Sequence, residues 1–464
     1  MPIPSTPIPS TPIPSTPIPS TSARLALVAL CLGFFVILLD ATVVNVALEA
    51  IRADLGGGIA DQQWVVASYT VALAAGMLTG GAMGDRFGSR RVCLLGLAAF
   101  ALASVACAAA PDMPMLIVAR TLQGIGAAAL LPCSLALIVQ QFPDPRERAH
   151  ALGVWGGISG IGMAAGPVLG GVVVAIAGWR AIFLVNVPVC LIAIVMIRRW
   201  AAESSDRRSG PLDVSGLVLG TLALAGLAGG LIEAGQRGWT HPVPLTLMIG
   251  AALLVPIFVL AERRAREPMV PMWIFASRRF SAGTGAGFLF NFCLYGALLC
   301  VSLLLQGPLG QSAFAAGMQI FPLTVAIGIG ALASGRLTAR FGPRVPMLIG
   351  YGAGATGAAL LLCAGGSGPP QLVVAGAAVL GFCSVAMPAM TSVVMSDIAA
   401  RHAGLASGVL NTARQAGGAM GAAVLGTLLV GGSGMSLGVP MVVTIAAYVA
   451  AIGLTLLATS RDRS

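Results

Sequence analysis

The sequence predicts an all-α integral membrane protein of fourteen transmembrane helices, in which two related six-helix bundles flank an inserted pair. Three observations predict it. Of the 464 residues, 57% are hydrophobic and only 9% charged, too few to coat a soluble globule. Apolar runs of about 20 residues recur along the chain, each long enough for a helix rising ~1.5 Å per residue to cross a core of ~30 Å. A charged turn also occurs twice, as GGAMGDRFGSRR at Gly80–Arg91 and as SGRLTARFGPR at Ser334–Arg344. Arg86, Phe87, Gly88 and Arg90 are matched by Arg340, Phe341, Gly342 and Arg344 at a constant offset of 254.

In order, the runs are 25–48, 65–83, 92–110, 114–139, 150–176, 181–200, 214–233, 243–261, 281–305, 313–335, 346–364, 371–395, 403–430 and 439–459. They are apolar on all faces, whereas a membrane β-barrel would show alternating segments of about ten residues. An offset of 254–255 organises them. It places Arg24 near Arg278 and Arg279, Gly153 and Val154 on Gly408 and Val409, and Gly162 and Gly166 on Gly417 and Gly421. Spans one to six therefore correspond to nine to fourteen, and seven and eight are an insertion. The expected units are a tail at 1–23, a six-helix bundle at 24–200, the linker and inserted helices at 201–280, and a second bundle at 281–460. In the tail PIPST occurs four times, and proline at this density favours extended, disordered chain without a role in transport. Pro268, Pro271 and Trp273 suggest a short segment lying along the inner interface.

The net charge of +10 does not indicate nucleic acid, because of where the charges lie. The chain has no lysine. With the N-terminus inside, every arginine falls in a cytoplasmic loop or tail except Arg52, Arg180 and Arg237 outside and Arg120 and Arg414 within spans. That is the positive-inside bias, and it predicts a multi-pass protein of the cytoplasmic (inner) membrane with both termini cytoplasmic. Trp64, Trp179, Trp200, Trp239 and Trp273 fall at the expected interfaces. The nine cysteines are scattered singly, and His150, His241 and His402 sit in loops or at helix ends, so neither a metal site nor a cofactor is expected. An enzyme is disfavoured because no nucleophile–base set or phosphate loop is present.

At these residues the chain resembles the major facilitator superfamily, and within it the fourteen-span drug:proton antiporter branch. Gly80–Arg91 matches the superfamily loop between spans two and three. LDATVVNVALEAI (Leu39–Ile51), RTLQGIGAA (Arg120–Ala128), GMAAGPVLGG (Gly162–Gly171), WRAIFLVNVP (Trp179–Pro188) and GLASGVLNTARQAGGAMG (Gly404–Gly421) resemble branch motifs in order along the chain. The resemblance covers about Arg24 to Leu457. It implies the major facilitator fold and export of small hydrophobic or cationic toxic compounds against protons. Its partners are then small molecules, protons and the lipid bilayer, with a periplasmic adaptor where the host is Gram-negative.

Asp40 and Arg120 are the expected proton-coupling residues. Asp40 lies about fifteen residues into span one, where a charged carboxylate costs of order 2.5–3.5 kcal/mol and must be paired, hydrated or protonated. Desolvation disfavours the charged form of a carboxylate, the property a proton-exchange site requires; an Asp serving only helix packing is the bland alternative. Arg120 stays cationic, so the resemblance implies electrostatic work on a nearby carboxylate or on water, against an arginine snorkelling to the interface. Gln123, three residues on, shares its face. Asn45, Gln123, Asn411, Arg414 and Gln415 are expected to line a substrate cavity, with Arg414 equally readable as half of a fixed structural pair.

Gly162, Gly166 and Gly170 form a small-residue stripe beside the helix-softening Pro167. It reads either as the antiporter helix, a tight contact between the halves, or as ordinary packing. Gly81, Asp85, Arg86, Gly88, Arg90 and Arg91 are the expected gating loop, in which the Asp–Arg cluster bridges the halves; the alternative for the arginines is topology alone. Glu49 stands where the branch has proline, and Ala339 replaces the equivalent of Asp85. Nothing in the second half matches Asp40 or Arg120, so coupling is expected in the first, with monovalent or neutral lipophilic cargo rather than dications. A carrier for one specific metabolite and a non-transporting membrane sensor are the alternative functions.

Overall fold

The structure is a computed structural model, and it describes residues 21–203, 213–265, 268, 270, 272–365, 370–396, 398, 403–431 and 434–459. The PIPST repeats lie outside the described residues. The first half comprises α1 (Thr21–Leu55), α2 (Ile59–Phe87), α3 (Ser89–Ala108), α4 (Met113–Ala128), α5 (Leu130–Gln141), α6 (Pro145–Ala177), α7 (Arg180–Leu184) and α8 (Asn186–Trp200). The insertion is α9 (Val214–Arg237) and α10 (Pro242–Arg264), followed by a 3-10 turn at Met272–Ala276. The second half comprises α11 (Arg278–Gln306), α12 (Ala313–Phe341), α13 (Arg344–Ala364), α14 (Pro370–Gly381), α15 (Ala386–Ser396), α16 (Ala403–Leu429) and α17 (Gly438–Thr459). Among the described residues, eleven helical stretches are long and apolar enough to cross a membrane, taking α4–α5, α7–α8 and α14–α15 as one each. α2, α6 and α16, helices of 29, 33 and 27 residues, lie outside that set.

Side-chain caps start several helices where the apolar runs begin. Asp112 accepts from Met115 N at 2.8 Å, Asp213 from Gly216 N at 2.8 Å, Ser277 from Phe280 N at 3.2 Å and Ser312 from Ala315 N at 3.2 Å. Each satisfies one of the amides that a helix start leaves unpaired. The repeated turn is explained by Gly88 and Gly342, whose φ of 100° and 75° lie in the left-handed region that glycine occupies without strain.

The duplication is visible in the packing. α1 packs on α6 and α8 as α11 packs on α16 and α17; α3 packs on α4 as α13 packs on α14. Across the halves, α6 meets α12 and α2 meets α16. The break between α4 and α5 falls at Ala129, and the 3-10 turn Phe382–Val385 lies at the equivalent place between α14 and α15.

The helices alternate between a near end, which carries the α2–α3 turn at Gly88, and a far end, which carries the α1–α2 turn at 56–58. Several contacts join the halves at the far end. Ser302 Oγ donates to the Asn45 carbonyl at 2.6 Å, and Gln306 Nε2 donates to the same oxygen at 3.4 Å. A side chain at Gly171 would stand 2.8 Å from Phe314 Cα, and one at Gly317 would collide with the Pro167 carbonyl. α9 joins both halves there: its Gly229 packs on Trp64 of α2, and its Leu231 carbonyl accepts from Thr427 of α16 at 3.0 Å. Along α16, residues 411–416 are half-buried whereas 417–423 are buried.

Candidate functional site

A buried polar knot occupies the middle of the first half. Asp40 (0% exposed) comes from α1, Ser104 from α3, Arg120 (1%) and Gln123 from α4, and Asn186 from the first residue of α8. Arg120 Nη1 donates to Asp40 Oδ2 at 2.5 Å and to Gln123 Oε1 at 2.6 Å. Gln123 Nε2 donates to Asp40 Oδ1 at 3.0 Å and to Ser104 Oγ at 2.8 Å. Asn186 Nδ2 donates to Asp40 Oδ1 at 2.7 Å. Arg120 Nε reaches the Val65 carbonyl at 3.2 Å, and the guanidinium lies 4.2 Å from the centre of the Tyr69 ring.

The arrangement follows from local structure. One turn of α4 separates Arg120 from Gln123, so both reach the same carboxylate. All three side chains at Asp40 are donors, which suits an ionised acid. A buried cation and anion in this setting repay their desolvation only when the remaining polar atoms are also bonded, and here nearly all are. Among them Asn186 Oδ1 alone has no hydrogen-bond partner. The buried position of Arg120 is the opposite of snorkelling.

Several expected site residues lie elsewhere. Gln123, expected at the substrate cavity, is buried and bridges the ion pair. Asn45 Nδ2 is bonded to the Ala41 and Thr42 carbonyls of its own helix, and its carbonyl belongs to the far-end contact. Glu49 neither faces solvent alone nor stands free: it pairs with Arg52 and accepts from Gln62 at 3.3 Å. The stripe Gly162, Gly166 and Gly170 faces α1 of its own half, against Phe35, Thr42 and Val43. The contact between halves is made instead by their neighbours, the Pro167 carbonyl and Gly171, because the stripe and the α12 contact occupy different faces of α6.

The Asp85 side chain and the bonds expected of it lie outside the described residues. Arg90 and Arg91 of the gating loop are bonded to their own half. Glu203, just beyond α8, accepts from the Arg90 and Arg91 amides at 3.1 and 3.3 Å, and Arg90 Nη2 donates to the Arg198 carbonyl at 2.7 Å. A side chain at Gly88 would stand 2.6 Å from Glu203 Oε1. Gly81 packs on Pro132, and Arg86 lies 5.4 Å from the Phe87 ring centre.

In the second half Arg414 is held loosely. Nη1 reaches Asn411 Oδ1 at 3.3 Å, Nη2 reaches Met387 Sδ at 3.2 Å, and Nε has no partner. Gln415 is half-buried on the same helix.

Ser104, Asn186 and Glu203 were not expected in functional roles. The available signal for the first two was a polar side chain inside an apolar span. Asn186 also sits in the quoted WRAIFLVNVP motif.

Two internally repeated helical bundles around a buried charged pair define a multi-pass membrane carrier. The comparisons agree: the Major Facilitator Superfamily profile matches residues 30–422. The chain belongs to the major facilitator superfamily, a family of transporters rather than enzymes. It is 37% identical to the methylenomycin A resistance protein of Bacillus subtilis over 87% of either chain. It is 37% identical to the tetracenomycin C resistance and export protein of Streptomyces glaucescens, over 87% of this chain and 75% of that one. Similarity extends to the multidrug resistance protein Stp of Mycobacterium tuberculosis, 36% identical over the same shares. In structure it is similar to the xylose transporter XylE from E. coli in a partially occluded inward-open conformation. That match has a TM-score of 0.67 at 14% identity and covers 96% of this chain and 99% of the other; it bears on the fold alone.

Proposed function

We propose that the protein is a proton-coupled antiporter that exports small toxic compounds by alternating access. The resistance and export proteins among its relatives support the drug-export part of the reading. The observation that carries the coupling part is the Asp40–Arg120 pair, sealed in the first half at mid-span depth. Donors reach both oxygens of Asp40. A proton arriving there removes the charge that fixes Arg120 and leaves an acid O–H facing donors. The unpartnered Asn186 Oδ1 becomes its acceptor after one amide rotation. Protonated and ionised Asp40 thus favour two arrangements of α1, α4 and α8, the bistability that alternating access needs.

In this reading the far end is extracytoplasmic, the helices α2, α6 and α16 complete fourteen spans, and both termini lie in the cytoplasm. The arginine distribution supports that orientation in the cytoplasmic membrane. The contacts that join the halves at the far end support an inward-facing state. The membrane potential contributes ~2.3 kcal/mol per charge per 100 mV.

The test is dye efflux from proteoliposomes under an imposed pH gradient. Wild type is expected to show gradient-dependent efflux and Asp40→Asn to lose it. Equal gradient-driven efflux by the two removes Asp40 from coupling, and efflux by wild type without any gradient dependence removes antiport.

A further inference from the structure

Arg120, buried, and Arg414, half-buried with its Nε out of reach of solvent, are in opposite circumstances. Arg120 is saturated by a carboxylate, an amide, a carbonyl and an aromatic face. Arg414 has an amide oxygen at the long distance of 3.3 Å, a thioether sulfur, and an Nε buried without a partner. Among the described residues it forms no ion pair, and the titratable groups that interact with it are the tyrosines Tyr295 and Tyr351. A thioether is a weak acceptor, and a buried cation without an anion is a standing unfavourable term. The position therefore favours a negative charge that the described residues do not supply.

The surroundings indicate what carries that charge. Phe290 places its ring centre 5.9 Å from the guanidinium, and Met387 touches it, so the walls are aromatic and deformable. Arg414 lies in the half-buried stretch 411–416 of α16, just before the buried run 417–423. Tyr295 packs against α16 at Gly418 and shares a core cluster with Tyr69, on whose ring Arg120 rests. The lone cation thus faces the boundary between the halves, a few side chains from the ion pair. Asp40, by contrast, presents no free negative charge to a cationic molecule, because Arg120, Gln123 and Asn186 occupy both its oxygens.

We propose that Arg414 is the specificity-determining residue of the cargo cavity and that it selects lipophilic molecules carrying an ionised acidic group, a carboxylate above all. This rests on the export reading and narrows its substrate class away from cations. The acid accepts from Arg414 Nε and an Nη in a two-pronged contact, the geometry in which a guanidinium binds carboxylates most firmly, while Phe290 and Met387 cover the apolar body.

The experiment compares 1-pyrenebutyrate with its methyl ester, two probes of nearly equal size that differ in charge. Binding to the purified full chain in detergent is read by titration calorimetry at neutral pH. Wild type is expected to bind the acid at least tenfold more tightly than the ester. Arg414→Met, which removes an unpaired buried charge at similar side-chain length, is expected to abolish the preference and to leave ester affinity within twofold. Arg414→Lys keeps the charge without the fork, and a smaller preference of the same sign is expected. Equal binding of both probes by wild type overturns the proposal. So does an equal loss of both in Arg414→Met, or binding of neither probe by wild-type protein that elutes as a single folded species. Efflux of the same probes from proteoliposomes separates the two readings. Acid preference in binding with no transport of either refutes export and leaves the anion site. Equal transport of both refutes the anion site and leaves export.

Discussion

Removing one partner of the Asp40–Arg120 pair and removing both have opposite energetic consequences. In Asp40→Asn the Arg120 guanidinium keeps Gln123 Oε1, the Val65 carbonyl and the Tyr69 face, but loses the anion at 2.5 Å. The new amide must also turn N–H groups toward at least one of the donors Arg120, Gln123 and Asn186. Truncating one side of a buried ion pair costs about 3–5 kcal/mol, a large part of a total stability of ~5–15 kcal/mol. Arg120→Met leaves the mirror problem, a carboxylate with only two amide donors, and is expected to cost a similar amount. The double variant carries neither charge, so its loss is expected to be smaller than that of either single change, which requires a coupling energy of at least about 3–5 kcal/mol. Equilibrium unfolding of the purified chain in mixed micelles, titrated with SDS and followed by tryptophan fluorescence, measures all four corners of the cycle. Losses that simply add would refute the reasoning, because they would mean that the two side chains do not depend on each other.

Three other outcomes are expected. Gly166→Val places a branched side chain where even a Cβ overlaps Thr42 Oγ1; a loss of about 1–3 kcal/mol is expected in the same unfolding assay, partly restored by Thr42→Ala. Glu203→Gln removes the negative charge that caps the start of α3 at the Arg90 and Arg91 amides; a loss of about 0.3–1 kcal/mol is expected, shrinking as salt is added. Cysteines at Gly171 and Phe314, where a side chain on the first would stand 2.8 Å from the Cα of the second, are expected to cross-link under mild oxidation, stop dye efflux, and release it on reduction.

The fold was readable because a membrane leaves few choices: apolar runs of span length, a charged turn repeated at one offset, and arginines kept to one side. The symmetric packing of α1 on α6 and α11 on α16 carries the same message as the offset that pairs Gly162 with Gly417. The site was legible residue by residue, since Asp40, Arg120 and Arg414 are charges in apolar surroundings. Its wiring was not. Helical periodicity says which face a residue occupies and nothing about which helix lies opposite. Hence the Arg120–Asp40 bond across 80 residues, the Asn186–Asp40 bond across 146 and the Glu203 cap on α3 appear only in three dimensions. The glycine stripe shows the same limit, since its spacing predicted close packing and left the partner open between α1 and the other half.

Duplication explains why the halves can divide the work. Two copies of one bundle supply the same scaffold: the left-handed glycine turn at Gly88 and Gly342, and the mid-span break at Ala129 and at Phe382–Val385. In this chain the copies have diverged in charge. The first half buries a cation with its anion, complete within itself; the second buries a cation whose anion is missing among the described residues. The asymmetry begins in the loop, where Asp85 has Ala339 as its counterpart, and ends at Arg414. A reversible change in the first half can then be felt in the second through helices that pack across the boundary, α6 on α12 and α2 on α16. Substitutions at Asp40 should accordingly alter the gradient dependence of transport, and substitutions at Arg414 should alter which molecule is carried.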